Sequence, residues 1–178
     1  MPIFSDVVSG SFYSEPLDYC YAQGWVTGVT ADTFVPGNAC VRAQVVTFLW
    51  RAAGCPKSVS SGNPFEDVQK GSYYYDAVLW AIENGITEGT ASDAFSPDGI
   101  CNRAQVVTFL WRAAGKPEPA SAENPFVDIP AGSFYEKAVL WAYENGITKG
   151  DGAPNTFKPE GKCIRAQIVT FLYRTLVG

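Results

Sequence analysis

The thirteen letters RAQVVTFLWRAAG fill residues 42–54 and return unchanged at 103–115. An edited third copy, RAQIVTFLYRTLVG, fills 165–178. No other feature constrains the fold as strongly. Most of this phrase is apolar, and a unit of about 60 residues cannot easily bury such a segment alone, so the copies must share one core. Other landmarks keep the same order. Phe4-Ser-Asp6-Val7, Phe65-Glu-Asp67-Val68 and Phe126-Val-Asp128-Ile129 repeat at intervals of 61 residues. Gly28, Gly89 and Gly150 keep that interval, as do Gly24, Gly85 and Gly146. Phe34-Val-Pro36, Phe95-Ser-Pro97 and Phe157-Lys-Pro159 follow, the last displaced by one inserted residue in GDGAPNTF. Cys40, Cys101 and Cys163 each stand two residues before a repeated arginine.

Three units result, 1–58, 59–120 and 121–178, expected to fold as one cooperative domain. They are joined by the Pro- and Ser-bearing stretches Cys55–Pro64 and Lys116–Pro125, which read as loops. Each unit reads as helix, loop, helix, which makes the fold class all-α. The first helix is clearest in SYYYDAVLWAIENG, with Ser72 as its expected N-cap and Gly85 where a C′ glycine belongs. Its counterpart spans Ser133 to Gly146, and in the first unit Pro16 is tolerable only near the first turn. The second helix is the repeated phrase, ended by Gly54-Cys-Pro56 and Gly115-Lys-Pro117. At about 100° per residue, Gln44, Thr47 and Arg51 form a narrow polar strip expected near water, with Arg42 on the opposite side.

Composition excludes several functions. The net charge of −5 disfavours nucleic acid as a partner, because phosphate binding requires a basic face. Histidine is absent, so serine–histidine and cysteine–histidine catalysis and histidine-ligated metals are not available. No apolar stretch reaches the roughly 18 residues of a membrane span, so no membrane insertion is expected. The start, MPIFSDVV, lacks the basic and apolar regions of a signal peptide. The cysteines lack C-x-x-C spacing and read as small buried hydrophobes rather than metal ligands, with Cys55 the reactive one. GDGAPNTFKPEG lacks the EF-hand order, and no two acids are seen to face each other across a cleft. No catalytic residue, cofactor or metal is therefore expected.

The arginines are the chemistry left. Arg42, Arg103 and Arg165 open buried helices, whose N-termini carry unpaired N–H groups and partial positive charge. A guanidinium there suits a carboxylate or phosphate. Pairing with the chain's own Asp6, Asp67 or Asp128 is the plainer alternative.

The order F-x-D-V, an aromatic, a helix ending in G-I-x-x-G, then F-x-P and x-R-A-Q before an apolar helix resembles the S-layer homology (SLH) domain. Tandem triplets are that family's usual arrangement, and the resemblance covers nearly the whole chain. It implies a pseudo-threefold spindle around a central three-helix bundle, with grooves between neighbouring units. It also implies an extracellular, cell-wall-anchoring role. The partner implied is cell-wall polysaccharide of the pyruvylated N-acetylmannosamine type, bound by a module expected to be monomeric in isolation. A protein-docking or self-assembly module using the same grooves is the alternative.

Carried over by position, Arg42, Arg103 and Arg165 match the arginine of the family's T-R-A-E motif, and Gln44, Gln105 and Gln167 match its glutamate. Asp6, Asp67 and Asp128 match the F-x-D aspartate; Phe12, Tyr73 and Phe134 match an aromatic. Gly28, Gly89 and Gly150 match a loop glycine whose lack of a side chain would admit a sugar. The motif's threonine is replaced by Val41, Asn102 and Ile164. Only Asn102 can cap a helix, which makes the middle unit's site the best preserved.

Overall fold

The computed structural model describes residues 3–59 and 62–178. Among them lie six α-helices: α1 (Ser14–Ala22), α2 (Arg42–Ala52), α3 (Tyr75–Glu83), α4 (Arg103–Ala113), α5 (Glu136–Glu144) and α6 (Arg165–Leu176). The described residues form isolated β-bridges but no strand. The expected all-α class is observed, and none of these helices is long and apolar enough to cross a membrane.

The repeated phrase forms the buried helices α2, α4 and α6. Its Val45, Val46, Phe48 and Leu49, with their counterparts in α4 and α6, lie in one continuous core. Helix α4 packs against both α2 and α6. The outer helices pack across units: α3 lies on α2, α5 on α4 and α1 on α6. Each first helix thus covers the second helix of the unit before it, and α1 closes the circuit on the last. Small residues permit close approach: Ala77 and Ala81 in α3, Ala138 and Ala142 in α5 are fully buried. In α1 the matching Cys20 is also buried, and its thiol lies 3.8 Å from Val169 O of α6. Pro16 is the third residue of α1, within the turn where a missing N–H costs nothing.

Backbone bonds close the same circuit at the cysteines. Cys40 N donates to Cys163 O (2.9 Å), Cys101 N to Cys40 O (2.9 Å), and Cys163 N to Cys101 O (3.0 Å). All three side chains are buried, and burial pushes the thiols of Cys40 and Cys101 up to about 12 and that of Cys163 higher still. The described residues contain no group of three His, Cys, Asp or Glu side chains arranged for a metal.

Two local expectations need correction. Ser72 does not cap α3: its hydroxyl donates to Gln69 O (2.8 Å), its carbonyl accepts from Tyr75 N (3.1 Å), and the helix begins at Tyr75. A serine hydroxyl that finds a nearby carbonyl builds a turn instead of a cap. Thr47 is not near water; it is 1% exposed and donates to Ala43 O one turn back (2.6 Å). That bond lets a hydroxyl sit in an apolar contact, which a helical wheel cannot foresee.

Candidate functional site

Each arginine crosses from its own unit into the next. Arg42 Nε donates to Phe95 O (2.8 Å), Arg103 Nε to Phe157 O (2.8 Å), and Arg165 Nε to Phe34 O (2.7 Å). A second donor, Nη2, reaches Thr87 Oγ1 from Arg42 (3.3 Å), Gly150 O from Arg103 (2.9 Å) and Thr27 O from Arg165 (2.8 Å). Each guanidinium also lies near two phenylalanine rings; for Arg103 these are Phe157 at 4.6 Å and Phe171 at 5.5 Å.

The expected pairing of arginine with aspartate takes an indirect form. Asp67 accepts from Phe95 N (2.9 Å) and Ser96 N (2.7 Å), so arginine and aspartate clamp opposite sides of one peptide segment. Asp6 and Asp128 do the same at Phe34 and Phe157. The clamp holds a non-glycine residue at positive φ in every unit: Val35, Ser96 and Lys158. Burial raises the Asp6 pKa, but the N–H groups of Phe34 and Val35 and the charge of Arg165 outweigh it, and the net value falls below normal.

The helix N-termini are not open anion sites either. Arg42 N and Ala43 N donate to Gly99 O and Pro97 O of the next unit, and the same bonds recur at α4 and α6. Gln44, Gln105 and Gln167 return their Oε1 to the N-cap N–H of Val41 (3.3 Å), Asn102 (3.0 Å) and Ile164 (3.1 Å). Only Asn102 completes the reciprocal box, accepting from Gln105 N at 2.8 Å, and its amide also donates to Glu160 (2.9 Å). Asn102 is thereby engaged in capping and in an inter-unit bond.

What remains for a ligand is the guanidinium. Arg42, Arg103 and Arg165 are 5%, 4% and 3% exposed, and none forms an ion pair among the described residues. Burial draws their pKa below the usual value, yet a guanidinium stays protonated at any physiological pH. A desolvated cation whose partners here are neutral oxygens and ring faces favours an approaching anion.

Arg42 lines a cleft of about 290 Å³ together with Thr87, Glu88, Gly89, Gln105, Arg112 and Phe134. Four residues marked in the sequence therefore meet there, drawn from all three units: Arg42, Gly89, Gln105 and Phe134. Phe134 is 64% exposed, and its counterparts Phe12 and Tyr73 are 60% and 57% exposed. Gly89 has its own reason to be glycine: at φ +85° its Cβ would stand 2.6 Å from Ala94 O and from Phe65 Cε1. The space is filled by the chain, so the glycine serves the loop and does not leave room for a sugar. Arg112 and Thr87 were missed as site residues. The recurrence of Arg112 as Arg51 and Arg174 inside the repeated phrase was the available signal.

The S-layer homology domain model matches residues 64–107 and 125–169, together half of the chain. An endoglucanase of Bacillus sp. (strain KSM-635) is 29% identical over 92% of this chain and 18% of its own length. The surface-layer 125 kDa protein of Lysinibacillus sphaericus is 26% identical over 95% of this chain and 14% of its own. S-layer protein EA1 of Bacillus anthracis is 25% identical over 97% and 20%. The chain thus spans a fifth or less of each of these relatives. With its threefold motif order, its inter-unit arginine clamps and these matches together, the chain belongs to the S-layer homology domain family, a family of bacterial cell-surface proteins.

Proposed function

We propose that this chain is a non-catalytic module that holds its parent protein to the cell wall by binding an acidic wall polysaccharide in clefts between units. Recurrence of the Arg42 framework at Arg103 and Arg165 makes it multivalent. The ligand class is a glycan carrying ketal carboxylates, of the pyruvylated N-acetylmannosamine type. One observation carries this reading: a buried, unpaired arginine floors a cleft whose rim bears an exposed aromatic. Guanidinium suits a carboxylate, and an aromatic face suits a sugar ring. Weak individual clefts gain avidity along a repeating polymer. A docking surface for another protein would require a broader apolar patch than a cleft walled by Arg42, Arg112 and Glu88.

The test is co-sedimentation with purified wall polymer, native against chemically depyruvylated. Wild type is compared with Phe134→Ala, whose exposed ring can be removed without opening the core. Binding is expected to native polymer alone, to weaken with added salt, and to fall several-fold in the variant. Equal retention by both polymers, or by neither with the chain folded, refutes the carboxylate reading.

A further inference from the structure

Arg42, Arg103 and Arg165 recur in equivalent hydrogen-bonded settings, but the charge beside them differs. The residue before the loop glycine is Thr27, Glu88 or Lys149, and it is exposed in every unit. Glu88 lines the cleft of Arg42 and Arg112, so a carboxylate entering there meets two cations and one anion. Lys149 occupies the same framework in the next unit. Gly89 N donates to Thr87 Oγ1 (3.1 Å), and Gly150 N donates to Thr148 Oγ1 (3.2 Å). Arg112 Nη1 donates to Ile86 O (3.3 Å), and Arg174 Nη1 donates to Ile147 O (3.2 Å). The Arg103 bond to Gly150 O holds the carbonyl of the residue that follows Lys149.

Asp151, the counterpart of the cleft residue Thr90, does not cancel that lysine. Its carboxylate accepts from Thr156 Oγ1 (2.6 Å) and Ala153 N (3.1 Å) and is paired with Lys158 at 3.1 Å. With Lys149 added and Asp151 offset by Lys158, the setting of Arg103 is therefore the most cationic. At Arg165, whose Nη2 donates to Thr27 O, the equivalent position is that neutral threonine, which makes this setting intermediate.

Resting on the wall-polymer reading above, we propose that the Arg103 cleft is the primary carboxylate site, that Lys149 makes it so, and that the Arg42 cleft is the weakest. Lys149 acts by direct attraction at the cleft mouth, where one reversed charge alters affinity by about fivefold to tenfold at moderate salt.

The three clefts can be read separately in one labelled sample. The Nε–H groups of Arg42, Arg103 and Arg165 are each held by a carbonyl, giving each cleft its own NMR reporter. The probe is the methyl glycoside of 4,6-O-pyruvyl-N-acetylmannosamine. The Arg103 signal is expected to saturate at about tenfold lower probe concentration than the Arg42 signal. Lys149→Glu with Glu88→Lys should reverse that order, leaving the backbone amide spectrum otherwise unchanged. Equal affinities at all three arginines, or an order untouched by the exchange, overturn the ranking and leave the anchoring reading standing. No shift at any arginine, in folded protein, overturns both.

Discussion

The junction between the third unit and the first repeats the bonds of the two consecutive junctions, but it must be made differently. Arg42 reaches Phe95 across 53 residues, whereas Arg165 reaches Phe34 across 131. At the consecutive junctions a linker is pinned down: Trp50 Nε1 donates to Pro56 O (2.9 Å) and Trp111 Nε1 to Pro117 O (2.8 Å). At the closing junction Tyr173 stands in the tryptophan's place and stacks edge-on against Tyr19 (5.3 Å), which in turn packs on Trp25 (5.6 Å). Side chains of α1 and α6 thus replace a tether. The longer closure costs only about 0.8 kcal/mol more in chain entropy, within reach of one aromatic pair. A repeat array becomes a closed ring when its last contact matches the others in chemistry, even though connectivity no longer helps it.

The largest expected effect breaks that ring. Arg165→Ala removes two charge-assisted bonds and leaves Phe34 O and Thr27 O without that partner, for a loss of about 3 kcal/mol. Urea unfolding measures it, and we propose that the wild-type units unfold in a single transition. Hydrogen exchange sharpens the comparison. In Arg165→Ala the amides of α1 should lose protection selectively, while in Arg42→Ala those of α3 remain protected because the linker retains them. Equal loss at α1 and α3 would erase the distinction between the junctions.

Gly89→Ala comes next. A left-handed φ of +85° combined with contacts at 2.6 Å predicts a loss of about 2 kcal/mol or more, visible as a lowered midpoint in thermal unfolding. Gly28 provides the contrast: its φ is not left-handed, yet its Cβ would meet Thr30 O at 2.3 Å. Both substitutions should destabilise; tolerance of Gly28→Ala would show that the first unit's loop yields where the second's does not.

A smaller effect belongs to the caps. Asn102→Ala should cost about 1 kcal/mol by denaturant titration, while Val41→Asn should stabilise by a similar or smaller amount. No gain from Val41→Asn would mean that the bonds from the neighbouring loop already satisfy that terminus.

The smallest concerns the inserted loop of the third unit. The hydroxyl of Thr156 holds the Asp151 pKa at about 2, against an ordinary 3.8, with desolvation opposing and Ala153 N–H and Lys158 assisting. A depressed carboxyl pKa stabilises above the ordinary value, and that contribution disappears as pH falls from about 4 toward about 2. Carboxyl-carbon NMR should show Asp151 still ionised at pH 3, and Thr156→Val should return its titration toward normal.

Much of this was legible in the letters. The threefold repeat, the class of secondary structure, the buried face of RAQVVTFLW and the C′ glycines follow from spacing and local propensity. The isolation of Arg42 from the polar strip was also legible on a helical wheel, and its burial bears that out. Less was legible at the site. Local rules made Ser72 a cap and Thr47 a solvent-facing residue, because a wheel records direction and not which carbonyl lies within reach. Asp67 was marked in the sequence but reads there as a partner of arginine. Its bonds to Phe95 N and Ser96 N, 28 and 29 residues away, exist only once the loop has folded back.

The sequence by itself determined the units and their helices, since periodicity and propensity act over a few residues. It also determined that a lone arginine would open each buried helix. Tertiary structure decided which unit each arginine serves. Arg42, Arg103 and Arg165 grip the following unit's loop because the helix N-termini meet at the cysteine ring, where Cys40, Cys101 and Cys163 bond one another's backbones. A buried N–H or guanidinium must find an acceptor wherever packing offers one. Here the nearest acceptors lie one unit further on, and for the last unit they lie back at the first.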